Sequence, residues 1–334
     1  MSYAAGQTIL DDEYNIFATG NAAGTGDASV ANVNTIYSTG TGNKGYGQTA
    51  TTTAVSAAGT VTAAQWEALV NTVEVIGAHT GTSVTATATI TAGNTISAIS
   101  TLSANLSSCF TNRGNAAAVG ASVTTGGVAT RSTVWYTSVT NIHTITFQSA
   151  NAARYFFNAG GRLTLTFARS GGTTNNKNTE WADLCSQMGT LVLNGATASI
   201  AGTNYTGITQ IGGGAGGAGG SMAALNFYSL TTSDQRILLK YADTAPYTAN
   251  YIDVSAKTAT SGTQVVFTCL FTDAAADTGA PPFPLGGDPN PENYDKVDGT
   301  LTSTAIASEP STTYLTNTWS TPTAITIASS SSGS

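Results

Sequence analysis

Between Thr62 and Gly77 the chain carries the pattern that leaves least choice of local structure. Trp66, Leu69, Val70, Val73 and Ile76 recur at helical spacing, while Glu67 and Glu74 fall off that stripe. Thr62 followed by Gln65 has the spacing of a capping box, in which each residue's side chain takes up the other's backbone N–H. Gly77 is placed to end the helix. Ahead of it, GYGQT (45–49) and VSAAGTV (55–61) read as turns around a short extended piece. An amphipathic helix is therefore expected, with Trp66, Leu69 and Val73 as its packing anchors.

A second helix is legible near the middle of the chain. Trp181, Leu184, Cys185 and Met188 recur at i, i+3, i+4 and i+7, and Gly189 closes the run. Trp181 and Leu184 repeat the Trp-x-x-Leu anchor of the first helix, so both helices are expected to dock in the same manner.

Elsewhere the period is two. RLTLTF (162–167) puts Leu163, Leu165 and Phe167 on one face and Thr164 and Thr166 on the other. TVWYTSVTNIHTITF (133–147) alternates less regularly through Val134, Tyr136, Val139, Ile142 and Ile145. Further strands are expected at 236–241, 251–254 and 264–273, the last two joined by a hairpin around KTATSG, with one more strand in the tail at ITIASSSS. Asn158–Gly161 reads as a hairpin turn before RLTLTF. Residues 84–105 mix Val, Ile and Thr with Ala and read as strand pairs about a Gly93–Asn94 turn, and 112–130 reads as a loop or as surface that becomes ordered in an oligomer.

Only 9% of residues are charged, against roughly 25% in an ordinary globular domain. Thr, Ala, Ser and Gly take the vacated positions. Thr suits strands, and Gly and Ser suit turns. Hydrophobic residues still make up 41%, enough for a core. The expected fold class is mainly β, with antiparallel sheets in a sandwich-like arrangement and a few short amphipathic helices. The texture divides it into an N-terminal attachment or assembly region (1–130) and a β-rich domain (131–334). Low surface charge lowers repulsion between copies, which suits a subunit of an assembly.

The net charge is −7 and no basic cluster exists, so nucleic acid is not an expected partner. No apolar stretch is long enough for membrane insertion, and the start lacks the pattern of a secretion signal. Cys109, Cys185 and Cys269 are far apart and odd in number, as expected of buried thiols in a reducing compartment.

Two blocks carry a resemblance. GYGQ, a Val-rich extended piece, TAAQWEAL and the His79–Gly81 ending form the first, and ARYFFNAGGRLTLTFARSGG (153–172) with NTEWADLCSQMGTL (178–191) forms the second. In this order they resemble structural proteins of tailed bacteriophages, cyanophages especially, over roughly a third of the chain. The resemblance implies a virion component, a tail-fibre or baseplate-associated protein assembled in the host cytoplasm. Its implied partners are other virion proteins and further copies of itself, a trimer fitting a fibre, with host-surface glycan a third. It brings no catalytic residue with it.

Several motifs invite sharper chemistry. Asp11, Asp12 and Glu13 suit a helix N-terminus better than a metal site, with Tyr14, Ile16 and Phe17 beneath. IGGGAGGAGG (211–220) lacks the Lys-Ser or Lys-Thr of a phosphate loop and reads as a packed or flexible glycine loop. In the proline-rich stretch 273–299, Asp288, Asn290, Glu292, Asp295 and Asp298 place oxygens at near-alternate positions, as a calcium loop does. Pro289 and Pro291 interrupt them and Gly299 stands where a bidentate Glu belongs. Calcium is thus the one cofactor offered here, against the preferred reading of a proline-stiffened connection.

Neither histidine sits in a recognisable catalytic motif. His79 is expected just past the first helix, and His143 in a strand facing solvent. Ser-His sites assemble from distant residues, so a local signature is not required of them. A glycan hydrolase needs two carboxylates at a set separation; Asp273, Asp277, Asp288, Glu292, Asp295 and Asp298 are the supply, and none form an obvious pair. The expectation is a non-enzymatic subunit. The alternatives are a host-surface glycan binder or depolymerase at the tail, and a head decoration protein.

Overall fold

The computed structural model describes residues 10–38, 40–86, 99–115, 119–200, 203–213, 221–274 and 297–332. The N-terminal part is a helical lobe of α1 (Asp11–Thr19), α2 (Ala63–Thr80) and α3 (Ile99–Thr111). The remainder runs β1 (Val119–Arg131), β2 (Ser138–Thr146), α4 (Ala150–Asn158), β3 (Arg162–Ser170), α5 (Asn176–Met188), β4 (Thr190–Ile200), β5 (Thr203–Ile211), β6 (Ser221–Met222), β7 (Gln235–Tyr241), β8 (Tyr251–Ala259), β9 (Gln264–Thr272), β10 (Thr300–Pro310) and β11 (Ala324–Ser332).

These strands form two antiparallel sheets, ordered β1-β10-β3-β4-β5 and β11-β2-β9-β8-β7-β6. The sheets stack as a sandwich. Phe167 on β3 meets Phe271 on β9 edge-on, with ring centroids 5.9 Å apart. At one rim, β1 and β11 close the gap: a Cβ on Gly127 would lie 2.5 Å from Ile325 Cγ2, so only glycine fits there. The fold is mainly β and sandwich-like, with short helices, as the alternation and composition led one to expect.

α2 begins as read. Thr62 Oγ1 accepts from the Gln65 N–H at 3.2 Å and Gln65 Oε1 accepts from the Thr62 N–H at 2.9 Å. Trp66, Leu69, Val73 and Ile76 are buried. The helix does not stop at Gly77; it continues to Thr80 and ends on Gly81, which is left-handed (φ 65). Gly77 answers a packing need instead, since a Cβ there would lie 2.7 Å from Val84 Cγ1. His79 consequently lies inside the last turn. In α1 the acidic first turn is present and Tyr14 and Phe17 are buried, but Ile16 faces solvent.

Three other expectations change. Residues 119–131, read as loop, are β1: small side chains give little alternation, and the strand is held by its backbone ladder to β10. Turn Asn158–Gly161 follows a helix, α4, not a strand. Residues 99–105 belong to α3, and the expected Gly93–Asn94 turn lies outside the described residues. Strands β3, β7, β8, β9 and β11 and helix α5 fall where the sequence placed them, with β8 longer than read.

The inner face of β2 carries Val139, Asn141, His143 and Ile145, so Ile142 points away and His143 points in. The expected boundary near residue 130 falls at the end of β1, a strand of the five-stranded sheet. One apolar cluster spans lobe and sandwich, from Tyr14 and Trp66 through Trp181 to Trp319. Among the described residues no helix is long and apolar enough to cross a membrane.

Candidate functional site

Four polar clusters among the described residues bear on function. The first is the seam between lobe and sandwich, where the two resemblance blocks meet. The turn 40–48 lies against α4. Asn158 Nδ2 donates to the carbonyls of Lys44 (2.8 Å), Gly45 (2.9 Å) and Gly42 (3.1 Å). Arg154 donates to the carbonyls of Gly40 and Lys44. Gln48 reaches the other way, donating to the Thr316 carbonyl at 2.9 Å and accepting from the Thr316 N–H at 2.9 Å.

His79 completes the seam. Its Nε2 lies 3.0 Å from the Ala159 carbonyl, so the ring is the tautomer that donates from Nε2. Tyr46 packs edge-on against it, with ring centroids 5.3 Å apart. Burial lowers the imidazole to about 4, although the Ala159 carbonyl pulls the other way. Trp66 and Trp181 anchor separate aromatic groups of the core, Trp66 against Tyr14 and Phe17 and Trp181 against Trp135 and Phe271.

The second place joins the sheets. His143 Nε2 lies 2.8 Å from Ser303 Oγ, and Asn141 Nδ2 donates to the same oxygen at 3.0 Å. The pair has the spacing of a nucleophile and its base. All three residues are fully buried, and His143 Nδ1 meets no partner where a catalytic histidine would meet a carboxylate. Burial lowers His143 to about 4. A group sealed between sheets reaches no substrate, so this arrangement holds β2 to β10.

Third, Asp298 anchors the chain entering β10. Its carboxylate accepts from Arg169 Nη2 at 3.2 Å, from Thr173 N and Oγ1 at 3.0 and 2.7 Å, and from Asn178 Nδ2. Burial raises this carboxyl, but the hydrogen bonds from Thr173 and Asn178 and the Arg169 guanidinium outweigh it and hold it below the usual range. Of the other calcium candidates, Asp288, Asn290, Glu292 and Asp295 lie outside the described residues. Asp273, named among the glycosidase acids, is buried and paired with Lys177 Nζ at 2.7 Å.

The fourth place was not anticipated. Glu180 and Asp183 on α5 and Asp243 after β7 each bring a carboxylate oxygen within 4.8 Å of the others. Gln187 Nε2 donates to Asp243 Oδ2 at 2.8 Å and to Asp183 Oδ2. Glu180 Oε1 fixes the turn by accepting the N–H groups of Asp243 (3.0 Å) and Thr244 (3.2 Å). Glu180, Asp183 and Gln187 stand at i, i+3 and i+7, off the Trp181 stripe, so three of the cluster's four side chains are legible on the helix. Asp243 is not, because it arrives from a strand end 60 residues on.

All three cysteines are free and buried. Burial pushes Cys109 to about 11 and Cys185 to about 12, and raises Cys269 as well, which makes them poor nucleophiles. No family model, curated protein or solved structure matches the chain.

Proposed function

We propose that this protein is a structural subunit of a tailed-phage virion, a tail-fibre or baseplate-associated component that works through interfaces and not through chemistry. The observation that carries the reading is the seam. The two blocks that resemble virion proteins pack on each other, and their polar side chains, Arg154, Asn158 and His79, are spent on binding lobe to sandwich. Among the described residues, titratable groups that sequence reading offered for catalysis are likewise engaged: His143 with Ser303, Asp273 with Lys177 and Asp298 with Arg169, while Asp277, Asp288, Glu292 and Asp295 lie outside the described residues. In this reading the partners are other virion proteins and further copies of the chain, in threes, with host-surface glycan met at the tail and neither nucleic acid nor membrane involved.

The test is immunogold labelling of gradient-purified particles with an antibody to the purified chain. Label on the tail or baseplate is the expected result. Label on the head makes the chain a decoration protein, and particles free of the chain overturn the reading.

A further inference from the structure

Glu180 and Asp183 on α5 converge with Asp243, which enters from the end of β7. The helix packs on β3 of one sheet and β7 is in the other, so the cluster sits where the two sheets are bridged. One oxygen from each carboxylate lies within 4.8 Å of the other two. Like charges at this separation repel, and a dication between them removes that cost.

Gln187 supplies an independent sign. The residue is only 6% exposed. Its carboxamide head lies in the cluster, with Nε2 bonded to both Asp183 and Asp243, while Oε1 on the same carbon is buried and meets no donor. A buried amide oxygen without a partner is costly. The NH₂ held beside these two carboxylates also stands where a further oxygen ligand of a shared cation would stand. Turned over about its last bond, the same carboxamide puts an oxygen there, as the geometry of the group allows.

We infer that Glu180, Asp183, Asp243 and Gln187 form a binding site for a hard divalent cation, calcium by size, with the Gln187 carboxamide turning over to present Oε1 to the ion. The donor set is all oxygen, which selects against zinc and copper. Two oxygens on one calcium ion lie at most about 4.6–5.2 Å apart, twice the usual bond length, and on magnesium about 4.0–4.2 Å. Carboxylate oxygens that all lie within 4.8 Å of one another need at most a small inward shift of the exposed Asp183 and Asp243 to reach calcium bond lengths. Asp183 and Asp243 are exposed, so the ion enters from solvent, while buried Glu180 already fixes the 243–244 turn. Bound there, the ion fastens α5 to the end of β7.

The probe is Tb³⁺, a calcium mimic whose emission is excited through a nearby indole; Trp181 adjoins Glu180 in the chain. The full chain is expected to show saturable Tb³⁺ luminescence that Ca²⁺ displaces, and a Tm that rises with Ca²⁺. In D183N/D243N, whose changes are at exposed positions, Tb³⁺ affinity should fall at least tenfold, with the circular dichroism spectrum of the parent retained to show that the variant is folded. D298N should bind as the parent does. Undiminished affinity in D183N/D243N overturns the inference, as does a parent chain with neither Ca²⁺-displaceable luminescence nor a Tm shift.

Discussion

Asn158, at the end of α4, donates its side-chain amide to the Lys44 carbonyl at 2.8 Å and shares the same nitrogen with the carbonyls of Gly42 and Gly45. One amide thus closes a turn that lies 114 residues away in sequence. The turn holds no regular secondary structure of its own to satisfy these carbonyls.

Replacing Asn158 therefore loosens the lobe from the sandwich. Asn158→Ala should cost about 1–3 kcal/mol, the usual penalty for orphaned buried acceptors. Asn158→Asp should cost more, because a carboxylate would face three carbonyls. Chemical denaturation of both variants measures this, and equal stability of the two would show that the amide's donors are not what holds the turn.

The tryptophan anchors come next. Trp66 and Trp181 are buried, each within an aromatic cluster. Trp66→Ala and Trp181→Ala should each lower stability by about 3–5 kcal/mol. For the same reason, removal of residues 1–80 takes Tyr46 and Trp66 out of the shared core. Such a truncation should fail by unfolding and not merely by losing attachment, and circular dichroism of the truncated chain distinguishes the two.

Acid should weaken the fold through its two histidines. Both are lowered by burial from 6.5 to about 4. The unfolded chain then binds protons that the folded chain refuses. The contribution is fully present above pH 6.5 and is lost as pH falls toward 4, amounting to about 3 kcal/mol for each histidine over that window. Denaturant midpoints at a series of pH values should fall across it, and His143→Gln should flatten part of the slope. A midpoint constant through the window would contradict the buried, neutral state of both rings.

The thiols give a simpler check. With all three cysteines buried, a thiol reagent should label none of them in the native chain and all of them in denaturant, as counted by intact mass. Rapid native labelling would show that a cysteine opens to solvent.

Local pattern made much of this fold legible. The capping box of α2, the face of β3 and the stripe of α5 are each written in neighbouring residues. What failed depended on distant partners. The phase of β2 was misread because its inner face carries Asn141 and His143, which are acceptable in a core only through Ser303 on β10. β1 was missed because its pairing is made by backbone, with little side-chain alternation to announce it. Gly77 looked like a helix end until Val84 was seen packed on it. The acidic cluster stayed hidden since Asp243 joins α5 only in the folded chain.

The central claim is that the protein works as a subunit of an assembly. Its most direct test is the mass and shape of the purified chain, by light scattering with sedimentation. The account predicts an elongated particle of three chains of 33.6 kDa each. A compact 33.6 kDa monomer at every concentration, with no affinity for phage particles, would contradict it.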